Sequence, residues 1–239
     1  MSDVTTVVVS VRGDARRVVS PDCAVLGSAI DVVAASKAEA LRAAATAQMA
    51  LVEDLIALGA VQSSAEVEKP PLAWSAQSVT SSPEYDFDKR TGGHGPTGNV
   101  VASVSVVISV RDLARLADLG AVLAAHDRLS VHGVSWQVDA DNTAWPVVRA
   151  AAIHAAIAKG RDYAAALAGT LVRVEQIADV GLLGGEGSPM PFLAAGGVAD
   201  MSAQSPGSGP SDTPSLDPVP QTLHAAIDAR FVASIPALA

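Results

Sequence analysis

The sequence predicts an α+β fold in which three helices pack on the faces of a mainly antiparallel sheet or sheets. Two observations carry this. Stretches with apolar residues at every second position outnumber those with apolar residues three and four apart, and the strands arrive in runs that helices interrupt rather than in strict alternation with helices. At 239 residues, 49% of them hydrophobic, the chain is also long enough to bury a sizeable core.

The elements follow in order. Val4 to Arg12 places Val7, Val9 and Val11 in one apolar row, as a half-buried strand requires. Pro21-Asp22 marks a turn, after which Leu26, Ile30 and Val32 continue a second strand. A helix opens at Ser36-Lys37-Ala38-Glu39, a capping box in which the Ser36 hydroxyl accepts from the Glu39 amide while Glu39 reaches back. Leu41, Ala45, Met49, Val52 and Ile56 fall at helical spacing, and Gly59 stands where a left-handed C-terminal cap is expected.

Ser64 to Thr80 reads as extended, with Pro70-Pro71 placing it on an edge or bending it. The glycines and prolines of 81–98 predict a mobile loop, which either divides two lobes or inserts into one domain. From Val100 to Val110 the even positions Val100, Ala102, Val104, Val106, Ile108 and Val110 share a face opposite Ser103, Ser105 and Ser109. Asp112 is placed to cap a second helix carrying Leu113, Leu116, Leu119 and Leu123. Val134, Trp136 and Val138 then line a strand.

A third helix starts near Asn142-Thr143, with Pro146 in its first turn, and runs to Gly169. Its inner positions are expected at Ala151, Ala152, Ala155, Ala156 and Ala158, whose small side chains allow close approach. Val172, Val174, Ala178 and Val180 alternate as a strand. Residues 184–218 are Gly-, Ser- and Pro-rich and predict a flexible insertion loop. Leu223, Ala225, Ile227, Ala229 and Phe231 form the buried row of a last strand. Residues 1–183 and 219–239 are thus expected to form one domain, with any division into lobes near 81–98.

Composition excludes several functions. Sixteen basic residues against 25 acidic give −9, which disfavours binding to a phosphate backbone. A single cysteine, Cys23, rules out an internal disulfide framework and a cysteine-based zinc site. No apolar run approaches the roughly 18 residues of a membrane span. The start of the chain shows no basic leader, apolar segment and small-residue cleavage site, so a cytoplasmic location is expected.

Four stretches together resemble one family. Pro21-Asp22 before an alternating strand looks like its opening, and Leu55-Ile56-Ala57-Leu58-Gly59-Ala60 resembles its first-helix ending. Val106 to Leu113, with Leu119-Gly120, resembles the strand that leads into its second helix. Arg149-Ala150, Ala155, Lys159, Tyr163-Ala164, Leu167 and Gly169 resemble its alanine-rich helix. The chain is therefore similar to the SIMPL-domain proteins, which include bacterial periplasmic immunogenic proteins and a mammalian signalling protein that associates with a pelle-like kinase. The resemblance implies a bacterial source, an α+β fold, ring- or channel-like homo-oligomers, and links to stress or signalling. It brings no catalytic centre, so Ser36, Glu39, Gly59, Arg149 and Gly169 are assigned structural roles. Gly160 departs from the pattern, at about 1 kcal/mol if it lies in an exposed helix interior.

Candidate chemistry is sparse. His94, His126, His132, His154 and His224 show no paired metal spacing; His126 suits a helix end, and His132 is in register with Trp136. Asp86 with Asp88, and Asp139 with Asp141, are spaced to share a divalent cation, yet they read better as a solvated loop and as helix-start chemistry. Gly184 to Ser188 is glycine-rich without the lysine of a phosphate loop. Cys23 reads as a small core residue, and Trp74, Trp136 and Trp145 as core or interface anchors. No catalytic, cofactor or metal residue is assigned. The expected function is non-enzymatic homo-oligomeric assembly, with protein partners through the loops, no nucleic acid and no membrane span. The alternative is an enzyme or small-molecule binder whose pocket, under the 181–218 loop, gathers His132, His224 and Asp228.

Overall fold

The computed structural model describes residues 4–64, 68–88, 92–183 and 216–236. In chain order the elements are β1 (Val4–Val19), β2 (Cys23–Ala34), α1 (Lys37–Ala57), β3 (Val61–Gln62), β4 (Leu72–Asp88) and β5 (Gly93–Val110). After a 3-10 turn at Leu113–Arg115 come α2 (Leu116–Ala124), β6 (Leu129–Gln137), α3 (Ala144–Ala166), β7 (Thr170–Asp179) and β8 (Gln221–Pro236). The fold is α+β with mainly antiparallel sheets. The described residues divide into two compact units: 4–20, 140–183 and 220–236 make unit 1, and 21–139 with 216–219 make unit 2. The described residues of 81–98, where a division into lobes was one expectation, lie inside unit 2.

In unit 1, β8 is the middle strand of the order β1-β8-β7 and pairs antiparallel with both neighbours. The odd residues of β1 and β8 face α3: Val9, Val11, Ile227, Ala229, Phe231 and Ala233 are buried. The buried stripe of α3 recurs every fourth residue, at Val148, Ala152, Ala156, Gly160 and Ala164. Ala151 and Ala158, expected inside, are exposed. Small residues bring this helix down onto the sheet. A β-carbon on Gly13 of β1 would clash with the Ala152 carbonyl oxygen and lie 2.6 Å from the Ala156 nitrogen. Gly160 is likewise not in an exposed interior, since a β-carbon there would lie 3.0 Å from the Phe231 ring.

On β7 the expected row fails: Val172 and Val174 are exposed. Register shifts at Leu171/Arg173 and Val174/Gln176 break the two-residue period, so alternation in sequence no longer maps to one face.

Unit 2 holds the five-stranded order β3-β4-β5-β2-β6. β5 is central, and its row Ala102, Val104, Val106, Ile108 and Val110 is buried as expected. α1 covers this face through Ala40, Ala44, Leu51 and Leu55, and α2 adds Leu116, Leu119 and Leu123. The stripe predicted for α1 is out of phase: Met49 and Ile56 are exposed, 59% and 56%. Alanines lie on every side of this helix, so its apolar period is weak and the close fit of Ala40 and Ala44 sets the face.

The described residues of 81–98 are not a loop. β4 and β5 pair from Leu72↔Val110 to Asp88↔Gly93 as a long hairpin. β2 pairs with β5 only from Val110 to Val100, so the distal part is a two-stranded ribbon. Pro70 and Pro71 precede β4 rather than edge it, and the Pro71 carbonyl accepts from Arg111 and Asp112. The insertion predicted at 184–218 falls, for 184–215, outside the described residues, as does the Gly184 to Ser188 run.

Candidate functional site

In unit 1, the even residues of β1 and β8 face away from α3. Register places Ser10 opposite Arg230 and Arg12 opposite Asp228. Arg12 grips the Asp228 carboxylate with two donors, at 2.8 Å and 3.3 Å. The turn after β7 folds back over this pair: the Gly181 amide donates to Asp228 at 3.1 Å, and Arg230 donates to the Leu183 carbonyl at 3.0 Å. Together with Leu183 these side chains border an open depression of about 440 Å³. The Arg12 guanidinium and the Gly181 amide hold the Asp228 carboxyl below the usual carboxylate range, although its partial burial opposes this. The Asp228 carboxylate is thus already engaged by Arg12 and by the Gly181 amide. The surrounding guanidiniums and the Ser10 hydroxyl offer donors to an anionic or aromatic partner.

Unit 2 has a smaller depression, of about 260 Å³, lined by Ile30, Ala47, His126, Arg128 and Leu129 among others. His126 follows α2, and its Nε2 lies 3.0 Å from the Asp54 carboxylate of α1. The pair has the form of a base and its orienting acid, but no Ser, Thr or Cys lines the depression to serve as nucleophile.

The two depressions account for few of the residues singled out from sequence. Asp228 borders the first, under the turn that begins the predicted 181–218 loop. His224 is exposed on β8 and does not line it, and His132 belongs to the other unit. His132 is exposed rather than in line with Trp136, because the β2–β6 register passes from Gly133 to Val131 and skips it. His154 is exposed on α3, and His94 stacks edge-on with Phe87 at 5.5 Å across the ribbon. Asp86 accepts from the Phe87 amide at 2.7 Å on a strand, not a loop, and the Asp88 side chain lies outside the described residues.

Asp139 is not helix-start chemistry. It binds Arg111 at 2.6 Å and Lys69 at 3.1 Å, and the Arg111 hydrogen bond in particular holds its carboxyl low. The helix start uses Asn142, which accepts from the Ala144 amide at 2.8 Å. Asp112 makes no cap; it pairs with Arg115, which also donates to the Leu58 carbonyl at the end of α1. Cys23 is buried, and burial pushes its thiol up. Trp74 is buried in the unit 2 core, with its indole N–H unpartnered among the described residues. Among the described residues no group of three His, Cys, Asp or Glu could hold a metal ion.

The structural residues occupy these places. Ser36 accepts from the Glu39 amide at 3.3 Å and donates to the Glu39 carboxylate at 3.0 Å. Gly59 takes φ +81°, and the Gly59 and Ala60 amides close on the Ile56 and Leu55 carbonyls. At the end of α3 the left-handed residue is Ala168, not Gly169. Gly169 is required by packing, since a β-carbon would strike the Ser234 carbonyl and approach the Ile235 methyl at 2.7 Å. Arg149 is exposed and lies over the Trp145 ring, 5.6 Å from its centroid.

Sequence reasoning missed Ser10, Arg12 and Arg230. Their signal was present: polar residues at even positions of β1 and β8, opposite the valine row. The edge position read as one option for Ser64 to Thr80 is open in β4. Among the described residues no strand pairs with the outer edge of β4 beyond Trp74, where Val79, Tyr85 and Phe87 are exposed. Among the described residues no helix is long and apolar enough to cross a membrane.

A family model described as SIMPL, protein of unknown function (DUF541), matches residues 9–231. No curated protein matches the chain.

Proposed function

The chain belongs to the SIMPL family, and on that premise we propose that it is a non-enzymatic scaffold that works by assembling with copies of itself, in a stress or signalling role. The observation that supports this is the open edge of β4. Among the described residues no strand lies beside its outer backbone groups from Ser75 to Asp88, and Ser75 to Ser82, with Val79 exposed, carries neither charge nor proline. Monomeric proteins blunt such an edge with charge, proline or a covering element, because it templates pairing with another chain. The distal ribbon adds weight, since two strands alone are marginally stable in water and gain from a partner.

Light scattering on the eluting protein tests the reading. The wild-type chain is expected to run as a multimer, and Val79→Lys is expected to lower its mass with an unchanged circular-dichroism spectrum. A wild-type chain that stays monomeric at tens of micromolar overturns it. The second reading, a small-molecule binder, is favoured only by the depression around Arg12, Asp228 and Arg230.

A further inference from the structure

We propose that the sheet face of unit 1 that points away from α3 binds an acidic polysaccharide, a polymer that intersperses sulfate or carboxylate groups with hydroxyls. This goes beyond the assembly reading above and does not depend on it.

Side chains directly opposite one another on paired strands share a face, so the register maps this one. Arg173 of β7 stands opposite Val232 of β8. Arg230 lies two residues back along β8, and Arg12 of β1 stands opposite Asp228, two residues further. Each step crosses one strand and moves two residues along it, about 8 Å, so the three arginines form a diagonal stripe over the sheet. Arg16, opposite His224, continues the basic character along β1. Uncharged donors lie between the charges: Gln176 of β7 and Ser10 of β1 flank Arg230 on either side. The depression sits in the middle of the stripe, bordered by Ser10, Arg12 and Arg230.

The carboxylates that the register places on this face do not cancel the stripe. Asp228 is held by Arg12 and the Gly181 amide, and Asp14 lies 3.6 Å from Lys159. Arg16 and Arg173 are exposed and form no ion pair among the described residues. The acidic balance of the chain also belongs elsewhere. The described residues of unit 1 include eight Arg or Lys and six Asp or Glu, a net +2, whereas those of unit 2 include six and fourteen, a net −8. Chemistry then selects the polymer. A guanidinium presents a planar fork to an oxyanion, and arginines spaced along a stripe suit separate anionic groups of an extended chain. The hydroxyl and amide between them suit the sugar hydroxyls. A single-stranded nucleic acid is held by aromatic platforms beside a basic groove, and the register places no Phe, Tyr or Trp on this face.

The full chain is tested against immobilised heparin and polygalacturonate, a sulfated and a carboxylated probe, beside neutral dextran, oligodeoxythymidylate and phosphatidylglycerol vesicles. It is expected to bind one or both acidic polysaccharides and not dextran. Binding should weaken as salt rises from about 0.1 M to about 1 M, where the screening length falls from ~10 Å to ~3 Å. Arg16→Ala/Arg173→Ala removes two charge-assisted contacts and is expected to weaken binding about tenfold or more, with an unchanged circular-dichroism spectrum. Lys37→Ala/Arg42→Ala takes the same charge from exposed positions on α1 of unit 2 and is expected to leave binding within about twofold of wild type. A chain that binds neither acidic polysaccharide overturns the proposal, as does binding that Arg16→Ala/Arg173→Ala does not weaken. Equal weakening by both variants assigns the retention to bulk charge and overturns it too. Tighter binding to the oligonucleotide or the vesicles, lost in Arg16→Ala/Arg173→Ala, gives the face to a nucleic acid or a lipid surface and also overturns it. A wild-type chain that stays monomeric yet binds the polysaccharide through Arg16 and Arg173 overturns the assembly reading and leaves this one standing.

Discussion

Gly13→Ala adds a single methyl group and is expected to destabilise unit 1 severely. The new β-carbon would overlap the Ala152 carbonyl oxygen and stand 2.6 Å from the Ala156 nitrogen and 2.8 Å from the Ala156 β-carbon. Two of these three atoms are helix backbone, so no rotamer change relieves them, and Ala156→Gly would not rescue the variant. Instead α3 must lift from the sheet by roughly 1 Å, a gap that forfeits about a quarter to a half of each contact's attraction. The loss spreads along the stripe from Val148 to Ala164 and onto Phe231. Overpacking of this kind costs about 3 kcal/mol, the upper part of its usual range. For a chain of this size that lowers the melting temperature by roughly 6 to 12 °C. Thermal unfolding followed by circular dichroism measures it. A Gly13→Ala protein that melts within a degree of wild type refutes the claim that α3 is seated on β1 at this glycine.

The opposite result is expected at Gly120, inside α2, where an added β-carbon meets nothing within 4 Å: Gly120→Ala should stabilise by about 1 kcal/mol, read as a higher denaturant midpoint. Ser36→Ala removes the hydroxyl that accepts from the Glu39 amide, and should cost about 1 kcal/mol in the same titration. Asp139 and Asp228 both have folded-state pKa values below their unfolded values, so their stabilisation is complete above the unfolded value of about 3.9 and is lost as pH falls from there through the folded values. The melting temperature should therefore drop below about pH 4, and Asp139→Asn should flatten that acid limb while lowering the neutral plateau.

What the sequence revealed depended on how cleanly pattern mapped to face. β5 was legible because Ala102 to Val110 alternates without interruption and every apolar member lies under α1. The capping box of α1 was legible because its geometry is local, within Ser36 to Glu39. The buried side of α1 was not, since alanines at 40, 43, 44, 45 and 47 make several phases equally apolar. The ribbon was hidden by its own composition. Pro83 and Pro96 read as breakers, yet they sit opposite Val100 and Tyr85, beside a register shift on a strand with an open edge, where a missing N–H costs little. His132 left the expected row because of one extra residue in β6. The Arg12–Asp228 pair joins residues 216 positions apart, and no local pattern announces such a partner.

The point where the chain enters and leaves the 21–139 segment has a consequence for how the protein is put together. The Asp22 amide donates to the Gln137 carbonyl at 2.8 Å, and the Asp22 carboxylate accepts from the Asp139 amide at 2.8 Å. Entry and exit are stitched side by side, so the 21–139 segment closes on itself as a collar.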